Sequence, residues 1–306
     1  RETHYHFTIE ENTPVDVQVA IDPEMLGQIF ENLLAEINPE TGETARKATG
    51  SYYTPRPIVE YMVFESLKAY LHTQTGIDEK RLSILLAYTD EDPQLSGREE
   101  NRVLDALDRL KILDPACGSG AFPLGIVQKI LMVLQKIDPN AEKWFQKLLR
   151  SIPDPAAREI IGKKLAGERE LWDYTRKFGL IRNAIHGVDI QPIAVEIAKL
   201  RCFLSLVVDE KVRDEEDNRG IMALPNLEFK FVCANTLISL PRRGPQLFES
   251  AELINDLQAV LVNYFSSYGK GKAELQERFY EIQKQLWTQA LDWTGKNSET
   301  EMLANW

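Results

Sequence analysis

The segment from Lys111 to Phe122 contains the residues of this chain best suited to binding a charged small molecule. Two apolar residues lead into Asp114, and Gly118-Ser-Gly120 precedes an apolar stretch that predicts a helix from Ala121 to Leu134. Glycines allow a sharp turn and close approach to a ligand. The first turn of a helix offers unpaired N–H groups and a partial positive charge, which favour an anion. Since Asp114 suits an amine or hydroxyl, the sequence favours a ligand carrying both a carboxylate and an ammonium group.

Two other interpretations of the glycine segment remain open from the glycines alone. A dinucleotide-binding loop has the pattern Gly-x-Gly-x-x-Gly, and here Pro123 occupies the third glycine position. The same glycines also fit a tight strand-to-helix turn that binds nothing.

The composition describes a globular protein of 306 residues with 43% hydrophobic content, enough for one large or two ordinary domains. No apolar run approaches the ~20 residues that span a bilayer, and the polar start shows no secretory signal. We therefore expect a cytoplasmic protein without a membrane partner. Cys202 and Cys233 lie in apolar segments, so reduced, buried thiols are expected, and no Cys/His spacing indicates a metal site.

The net charge of −11 limits how this chain could interact with nucleic acid. Domains dedicated to nucleic-acid binding are usually basic, so this chain is not expected to hold DNA by electrostatics alone. The charge counts against a complete DNA enzyme, but not against the cofactor-binding part of one.

Apolar patterns predict alternating strands and helices in the middle of the chain, which indicates an α/β fold with a parallel sheet covered by helices. Strands are expected at 112–113, 184–188 and 227–233. Ligands on such sheets bind beyond the carboxyl ends of the strands, and Asp114, Asp189 and Asn235 each lie at such an end. We therefore expect these three side chains to surround one ligand.

Helical patterns flank and interrupt this core. One helix is expected after Asp22-Pro23, and a second is expected to have Thr54 as its N-cap and Pro55 as its first residue. Two more are predicted between 141 and 178, and a helical stretch runs from 247 to 291, interrupted near Gly269 and Gly271. The inward face of the second helix is expected to comprise Ile58, Val59, Met62, Val63 and Leu67. The inward face of the helix after Gln191-Pro192 is expected to comprise Ile193, Ile197, Leu200, Leu204 and Val207.

Two segments carry a resemblance to a known family. The string Asp114-Pro-Ala-Cys-Gly-Ser-Gly120 resembles the first motif of the N6-adenine DNA methyltransferases. The string Tyr52-Tyr-Thr-Pro55 resembles the additional cofactor motif that the gamma class places before the glycine loop. The resemblance covers roughly residues 22–240, and the long helical additions are similar to those of fused type IIG and IIS restriction-modification enzymes and related phage-defence methyltransferases.

The resemblance implies a Rossmann-like, S-adenosylmethionine-dependent methyltransferase fold with large helical N-terminal and C-terminal additions. It divides the chain into a mainly helical region (1–100), a Rossmann-like core with a helical insertion at 139–180 (101–240) and a helical segment (241–306). The implied cofactor is S-adenosyl-L-methionine. The residues expected to bind it are Tyr53, Thr54, Asp114, Ala116, Cys117, Gly118, Gly120, Phe122, Asp189, Ile190 and Asn235.

Several of these residues have a structural alternative beside the implied role. Asp189 would accept hydrogen bonds from the ribose hydroxyls, or else cap the following helix. Ile190 would lie against the adenine ring, a role compatible with ordinary core packing. Asn235 would bind the adenine edge, or else be a turn residue, and Phe122 would contact the ligand or the core. His186, inside a strand, is expected to be a partnered core side chain rather than a catalytic one.

The catalytic loop of this family, Asn/Asp-Pro-Pro-Tyr/Phe, has no counterpart here because the sequence contains no Pro-Pro pair. No catalytic residue is therefore assigned. We expect the cofactor-binding portion of a longer, site-specific adenine methyltransferase, which binds cofactor without transferring a methyl group. Double-stranded DNA would be bound by regions outside this chain. Two alternatives remain open: a non-catalytic nucleotide-binding module that mediates assembly, and a methyltransferase acting on RNA or protein.

Overall fold

The computed structural model describes residues 54–152, 155–165, 171–209, 227–237, 251–264 and 270–292. Tyr53 and the helix predicted after Asp22-Pro23 lie outside the described residues.

The described elements follow one another as helices with three short strands between them. In chain order they are α1 (Arg56–Thr75), α2 (Glu79–Leu86), α3 (Gly97–Arg109), β1 (Ile112–Asp114), α4 (Ala121–Ile137), α5 (Glu142–Arg150), α6 (Pro155–Leu165), α7 (Trp172–Asn183), β2 (Ile185–Asp189), α8 (Pro192–Val207), β3 (Phe231–Cys233), α9 (Ala251–Tyr264) and α10 (Lys270–Asp292).

The three strands form a parallel sheet in the order β1-β2-β3, which confirms the predicted parallel arrangement. Asp114 is paired with Gly187, and Asp189 is paired with Cys233, so the carboxyl ends of the strands lie side by side. β3 begins four residues later than predicted, because residues 228–230 form a turn. In that turn the Lys230 and Phe231 amides both donate to the Leu227 carbonyl at 3.0 Å.

Local sequence signals explain where several helices begin and end. Ser96 and Glu99 form a capping box at the start of α3, with each side chain bonded to the other's backbone amide. Asp78 accepts a hydrogen bond from the Lys80 amide at the start of α2. Gly76 ends α1 in the left-handed conformation, with φ of 68°.

The start of α1 differs from the prediction. The helix begins at Arg56, and its N-cap is Pro55, without a side-chain capping bond. The predicted capping role of Thr54 is therefore wrong, a shift of one residue that is common at helix ends.

The buried faces of α1 and α8 agree only in part with the prediction. In α1, Val59, Val63 and Leu67 are buried as predicted, together with Leu71 and Thr75, but Ile58 and Met62 are each 49% exposed. In α8, Ile193 is 53% exposed and Leu200 43% exposed. Its buried side chains are Ala194, Val195, Ala198, Arg201, Cys202, Ser205 and Leu206. Ala198 and Arg201 are buried where α8 approaches the loop after β1.

The region between α4 and β2 contains three described helices, α5, α6 and α7, rather than the two predicted. The segment 138–141 separates α4, which ends at Ile137, from α5, which begins at Glu142. Asp138 stabilises the start of α5 by accepting from the Trp144 amide at 2.8 Å.

The described residues fall into two compact units. One lies within Arg1–Ser151 and Ile161–Thr236, and the other within Ile152–Ile160 and Leu237–Trp306. In the first unit the sheet and its surrounding helices share one apolar core, which includes Leu71, Leu82, Leu104, Ile130, Ile185 and Phe231. In the second unit α9 packs on α10, with Tyr264 and Ile282 fully buried. Among the described helices, none combines the length and the hydropathy that a bilayer span requires. The three-part division made from the sequence stays a prediction.

Candidate functional site

The glycine loop, residues 115–120, joins β1 to α4 and turns on two left-handed glycines. Gly118 has φ of 51° and Gly120 has φ of 88°. A Cβ atom placed on Gly120 would lie 3.1 Å from the Cβ of Ala198 on α8. Both the backbone angle and this close approach disfavour any other residue at position 120. The loop closes with a hydrogen bond of 2.8 Å from the Gly120 amide to the Cys117 carbonyl.

Backbone and side-chain bonds fasten the glycine loop to the end of β2. The Cys117 amide donates to the Val188 carbonyl at 2.9 Å. The Gly118 amide donates to Asp189 Oδ2 at 2.8 Å, which joins residues 71 positions apart. Gly187 on β2 makes room for the side chain of Cys117 and for the Phe231 ring, because a Cβ there would lie 2.7 Å from the ring and 2.9 Å from Cys117 Sγ. The loop therefore depends on β2 for its shape.

Asp189, at the end of β2, uses both carboxylate oxygens in backbone hydrogen bonds. Oδ2 accepts from Gly118, and Oδ1 accepts from the Gln191 amide at 2.9 Å. The side chain is 9% exposed. Gln191 is the N-cap of α8, so Asp189 helps to start that helix as well as to hold the loop. The ribose role stays a prediction, and it would use the second lone pair of each oxygen.

Asp114, at the end of β1, is placed differently. Oδ1 accepts from the Ala116 amide at 3.1 Å. Oδ2 is buried and has no hydrogen-bond partner among the described residues. Burial raises the pKa of Asp114 above its ordinary value, and the nearby charge of Asp189 raises it further. A buried carboxylate oxygen without a donor is unfavourable, and a ligand ammonium or hydroxyl group would relieve it.

Cys117 is buried and lies near enough to both carboxyl groups to feel their charges. Burial, followed by the charges of Asp114 and Asp189, raises the pKa of its thiol to about 12. The thiol is therefore protonated at neutral pH and unsuited to act as a nucleophile.

The end of β3 completes the row of strand ends. The Ala234 amide donates to the Asp189 carbonyl at 2.9 Å, and Thr236 Oγ1 donates to the Pro115 carbonyl at 3.0 Å. Asn235, between them, is exposed, as is Ile190 at 43%. The structure thus brings the ends of β1, β2 and β3 together as the sequence predicts, with Asn235 two residues beyond β3.

Phe122 and Ala116 differ in how they are placed around the loop. Phe122 is half-buried and packs against the apolar core, which is the core alternative considered for it. Ala116 is exposed, and its amide donates a hydrogen bond to Asp114.

Cys233 is exposed, so the prediction of a buried thiol at this position is wrong, whereas Cys202 is buried as predicted.

Thr54 lies just before α1, and the direction of α1 relative to α4 shows which end of the helix pair Thr54 occupies. A Cβ on Gly125 of α4 would lie 2.6 Å from Val59, and Lys129 Nζ lies 5.9 Å from the Phe64 ring. These contacts advance together along both helices, so α1 and α4 run in the same direction. The start of α1 is therefore at the same end of the pair as the glycine loop.

Away from this site, His186 is partnered as predicted. Its Nδ1 lies 3.3 Å from the Ile112 carbonyl, and Nε2 lies 2.9 Å from Lys230 Nζ. Burial and then the charge of Lys230 lower the pKa of His186 below its ordinary value. Within the described ranges no group of three His, Cys, Asp or Glu side chains is arranged to hold a metal ion.

Two residues at the site, Thr236 and Arg201, were not predicted from the sequence. Thr236 links the loop after β3 to Pro115, and Arg201 on α8 donates to Ser119 in the glycine loop. The available signal was the position of the arginine, which lies directly between Leu200 and Cys202 in the apolar second half of α8.

Comparison with known proteins identifies one informative similarity. The chain is 31% identical over 244 residues to a Methanocaldococcus jannaschii protein named "Putative type II restriction enzyme and methyltransferase RM.MjaORFECS2P". The aligned region covers 76% of this chain and 18% of that relative. No protein-family model and no solved structure matches the chain. The chain is therefore similar to one part, less than a fifth, of a protein whose name combines a restriction enzyme with a methyltransferase.

Proposed function

We propose that this chain is the S-adenosylmethionine-binding portion of a site-specific DNA methyltransferase that acts on adenine N6 in a restriction-modification system. The observation that carries the proposal is Oδ2 of Asp114, which is buried and has no hydrogen-bond partner in the described part of the chain, at the end of the strand that leads through the glycine loop to α4. The relative's name supports the methyltransferase class and the restriction-modification setting. Adenine as the target base rests on the resemblance of the motif Asp114–Gly120.

The site fits both charged groups of the amino-acid end of S-adenosylmethionine. Asp114 Oδ2 would accept from the ammonium group. The amides of Ala121 and Phe122, in the first turn of α4, have no carbonyl acceptor within the helix and would face the carboxylate. The cofactor, when bound, supplies a methyl group on a positively charged sulfur atom.

The nucleoside end would extend along the other strand ends. The remaining lone pairs of Asp189 would accept from the ribose hydroxyls. Ile190 offers an exposed apolar side chain to the adenine ring, and Asn235 would bind its polar edge. Tyr53 and Thr54 would close over the methionine end, with Ala116, Cys117, Gly118, Gly120 and Phe122 forming the loop beneath it.

The work of these residues is to bind and orient the methyl donor. Holding a donor and an acceptor in position supplies much of the rate of such a transfer. The acceptor base in DNA has to be turned out of the duplex before a methyltransferase can reach it. Because the chain is acidic overall, with a net charge of −11, we assign DNA contact to other regions of the enzyme.

Isothermal titration calorimetry with S-adenosylmethionine tests the proposal. We expect saturable binding at one site and a higher thermal midpoint in the presence of the cofactor. NAD⁺ is the control ligand, because Pro123 stands where a dinucleotide loop has its third glycine. Neither heat nor thermal shift at millimolar S-adenosylmethionine would contradict the proposal, and tighter binding of NAD⁺ would replace it.

A methyl-transfer assay addresses the second half of the proposal. With radiolabelled cofactor and adenine-containing duplex DNA, the 306-residue chain should transfer no label, because it contains no Pro-Pro loop to receive the base. Incorporation of label into DNA by this chain alone would show that the catalytic residues lie within it.

A further inference from the structure

Arg201 is a buried cation that reaches the glycine loop from the helix beneath it. The side chain lies in α8 and the residue is 4% exposed. Its Nη1 donates to the Ser119 carbonyl at 2.9 Å and lies 3.4 Å from Ser119 Oγ. Burying an arginine is costly, so its place beneath a loop that bears two left-handed glycines needs an explanation.

The same face of α8 both packs against the loop and bonds to it. Ala198 is the residue that Gly120 approaches most closely, and Arg201 follows three positions later on that face. Ala198 sets how near the helix lies, and Arg201 fixes the Ser119 peptide from below. The glycine loop is thus held from two directions, by α8 through Arg201 and by β2 through Asp189.

The charge of Arg201 complements the charges of the two aspartates that bond to the loop. Asp114 and Asp189 make their part of the site acidic, which suits a ligand ammonium group but opposes a ligand carboxylate. The guanidinium group adds a positive charge next to Ser119, at the start of α4, where the helix end also favours an anion. Its hydrogen bond to the Ser119 carbonyl also polarises the Ser119–Gly120 peptide.

We propose that Arg201 is a positioning residue that holds the glycine loop in its carboxylate-accepting form and makes the site selective for ligands with a carboxylate. This inference rests on the proposed cofactor function and names the residue that sets its ligand selectivity. Arg201 acts through Ser119 and the loop, without contacting the ligand.

Two ligands that differ in one group test the inference: S-adenosylmethionine and its decarboxylated form, which retains the sulfonium, the ammonium and the nucleoside. In the wild-type protein S-adenosylmethionine should bind the tighter of the two. Arg201→Gln should weaken S-adenosylmethionine about 30-fold and the decarboxylated form no more than about threefold. Arg201→Lys, which keeps the charge, should restore most of the preference.

Two further variants guard against loss of folding and nonspecific effects. If Arg201→Gln does not fold, Arg201→Met is measured in its place. Methionine buries no polar group, and apolar replacements of buried ions are often tolerated. Lys199→Gln is the matched control. Lys199 is on the same helix and pairs with Glu196 at the surface, so its loss should leave both affinities unchanged.

The outcomes separate this inference from the proposed function. Failure of the wild-type chain to bind either ligand overturns the cofactor function, and the inference with it. Binding of both ligands with equal affinity in the wild type overturns the inference alone. The inference is also overturned if Arg201→Gln or Arg201→Met keeps the wild-type preference for S-adenosylmethionine. The same holds if either variant weakens the binding of both ligands equally, since loss of a purely structural residue would have that effect.

Discussion

The ends of β1 and β2 look alike in sequence and differ in structure. Each strand ends in an aspartate, Asp114 or Asp189, and the two strands are neighbours in the sheet. Asp189 gives both oxygens to the backbone, at Gly118 and Gln191, whereas Asp114 keeps one buried oxygen without a partner among the described residues. One carboxylate is committed to the fold, and the other has capacity for a ligand.

The difference separates stability from binding at one small site. A carboxylate whose oxygens bond to the protein stabilises the folded state, and its removal leaves buried donors unpaired. A carboxylate with an unpaired buried oxygen opposes folding and favours a ligand that brings a donor. We therefore expect substitutions at these two positions to have opposite effects on stability.

The largest effect is expected from Asp189→Ala. The Gly118 and Gln191 amides would lose their acceptor, which should lower the free energy of unfolding by about 2–4 kcal/mol. Urea denaturation followed by circular dichroism measures it. The glycine loop would lose its link to β2, so binding of S-adenosylmethionine should weaken as well. If the stability were unchanged, Asp189 would have no structural role, and the contrast between the two strand ends would disappear.

Asp114→Asn should have a smaller effect, and on binding rather than on folding. The variant removes a charge that burial disfavours, so stability at neutral pH should stay the same or rise. Loss of the carboxylate partner of the ammonium group should weaken S-adenosylmethionine about tenfold or more, measured by calorimetry. A destabilised variant with full affinity would reverse the roles of the two aspartates.

The pH dependence of stability follows from the raised pKa of Asp114. The folded state holds this proton more tightly than the unfolded chain, in which the pKa is about 3.8. The resulting stabilisation is complete below that value and is lost as pH rises through the folded-state pKa. Denaturation of the wild type and Asp114→Asn at several pH values should therefore show the variant gaining relative stability as pH rises above about 3.8. A constant difference would mean that burial does not perturb Asp114.

Ligand binding should shift the same equilibrium in the opposite direction. An ammonium group beside Asp114 favours the ionised carboxylate, so the affinity for S-adenosylmethionine should rise with pH in this window. Calorimetry in buffers of different ionisation enthalpy should detect a proton released on binding at mildly acidic pH. The signal should be absent in Asp114→Asn.

The smallest effect is expected at the end of β3, where the exposed Cys233 serves as a reporter. The sequence contains three cysteines, and Cys117 and Cys202 are buried with thiol pKa values of about 12. In the folded protein a thiol reagent should label Cys233 alone, and after denaturation it should label all three. S-adenosylmethionine should slow labelling of Cys233 by a few-fold, with mass spectrometry as the readout. Unchanged labelling would place the ligand away from β3.

The parallel sheet and the meeting of its strand ends were predictable from sequence, because β1 and β2 are short apolar segments that each end in an aspartate. The inward face of α8 was not predictable in the same way. Hydropathy selects Ile193 and Leu200, yet the helix turns its small residues and Arg201 inward. Where a helix packs closely against a glycine loop, small side chains fit better than large apolar ones. Which face of the helix meets the loop depends on the tertiary structure.

The separate roles of Asp114 and Asp189 also lay beyond the sequence. Both follow apolar strands, and both lie shortly before a proline, so their local patterns are nearly equivalent. The difference arises from the two-residue offset between β1 and β2, which brings Asp189 against Gly118. Register between strands distant in the chain is set by packing, and local sequence does not encode it.

The hydrogen bonds that hold the glycine loop affect how the protein folds during its synthesis. They join Cys117 and Gly118 to β2, and Ser119 to Arg201. The loop is made early, but its partners lie 71 and 82 positions later in the chain. Contacts so distant in sequence close slowly, after the helices between them have formed. The ribosome must therefore release residue 201 before the loop can reach its final shape, and a nascent chain stopped before α8 would hold the motif without the binding site.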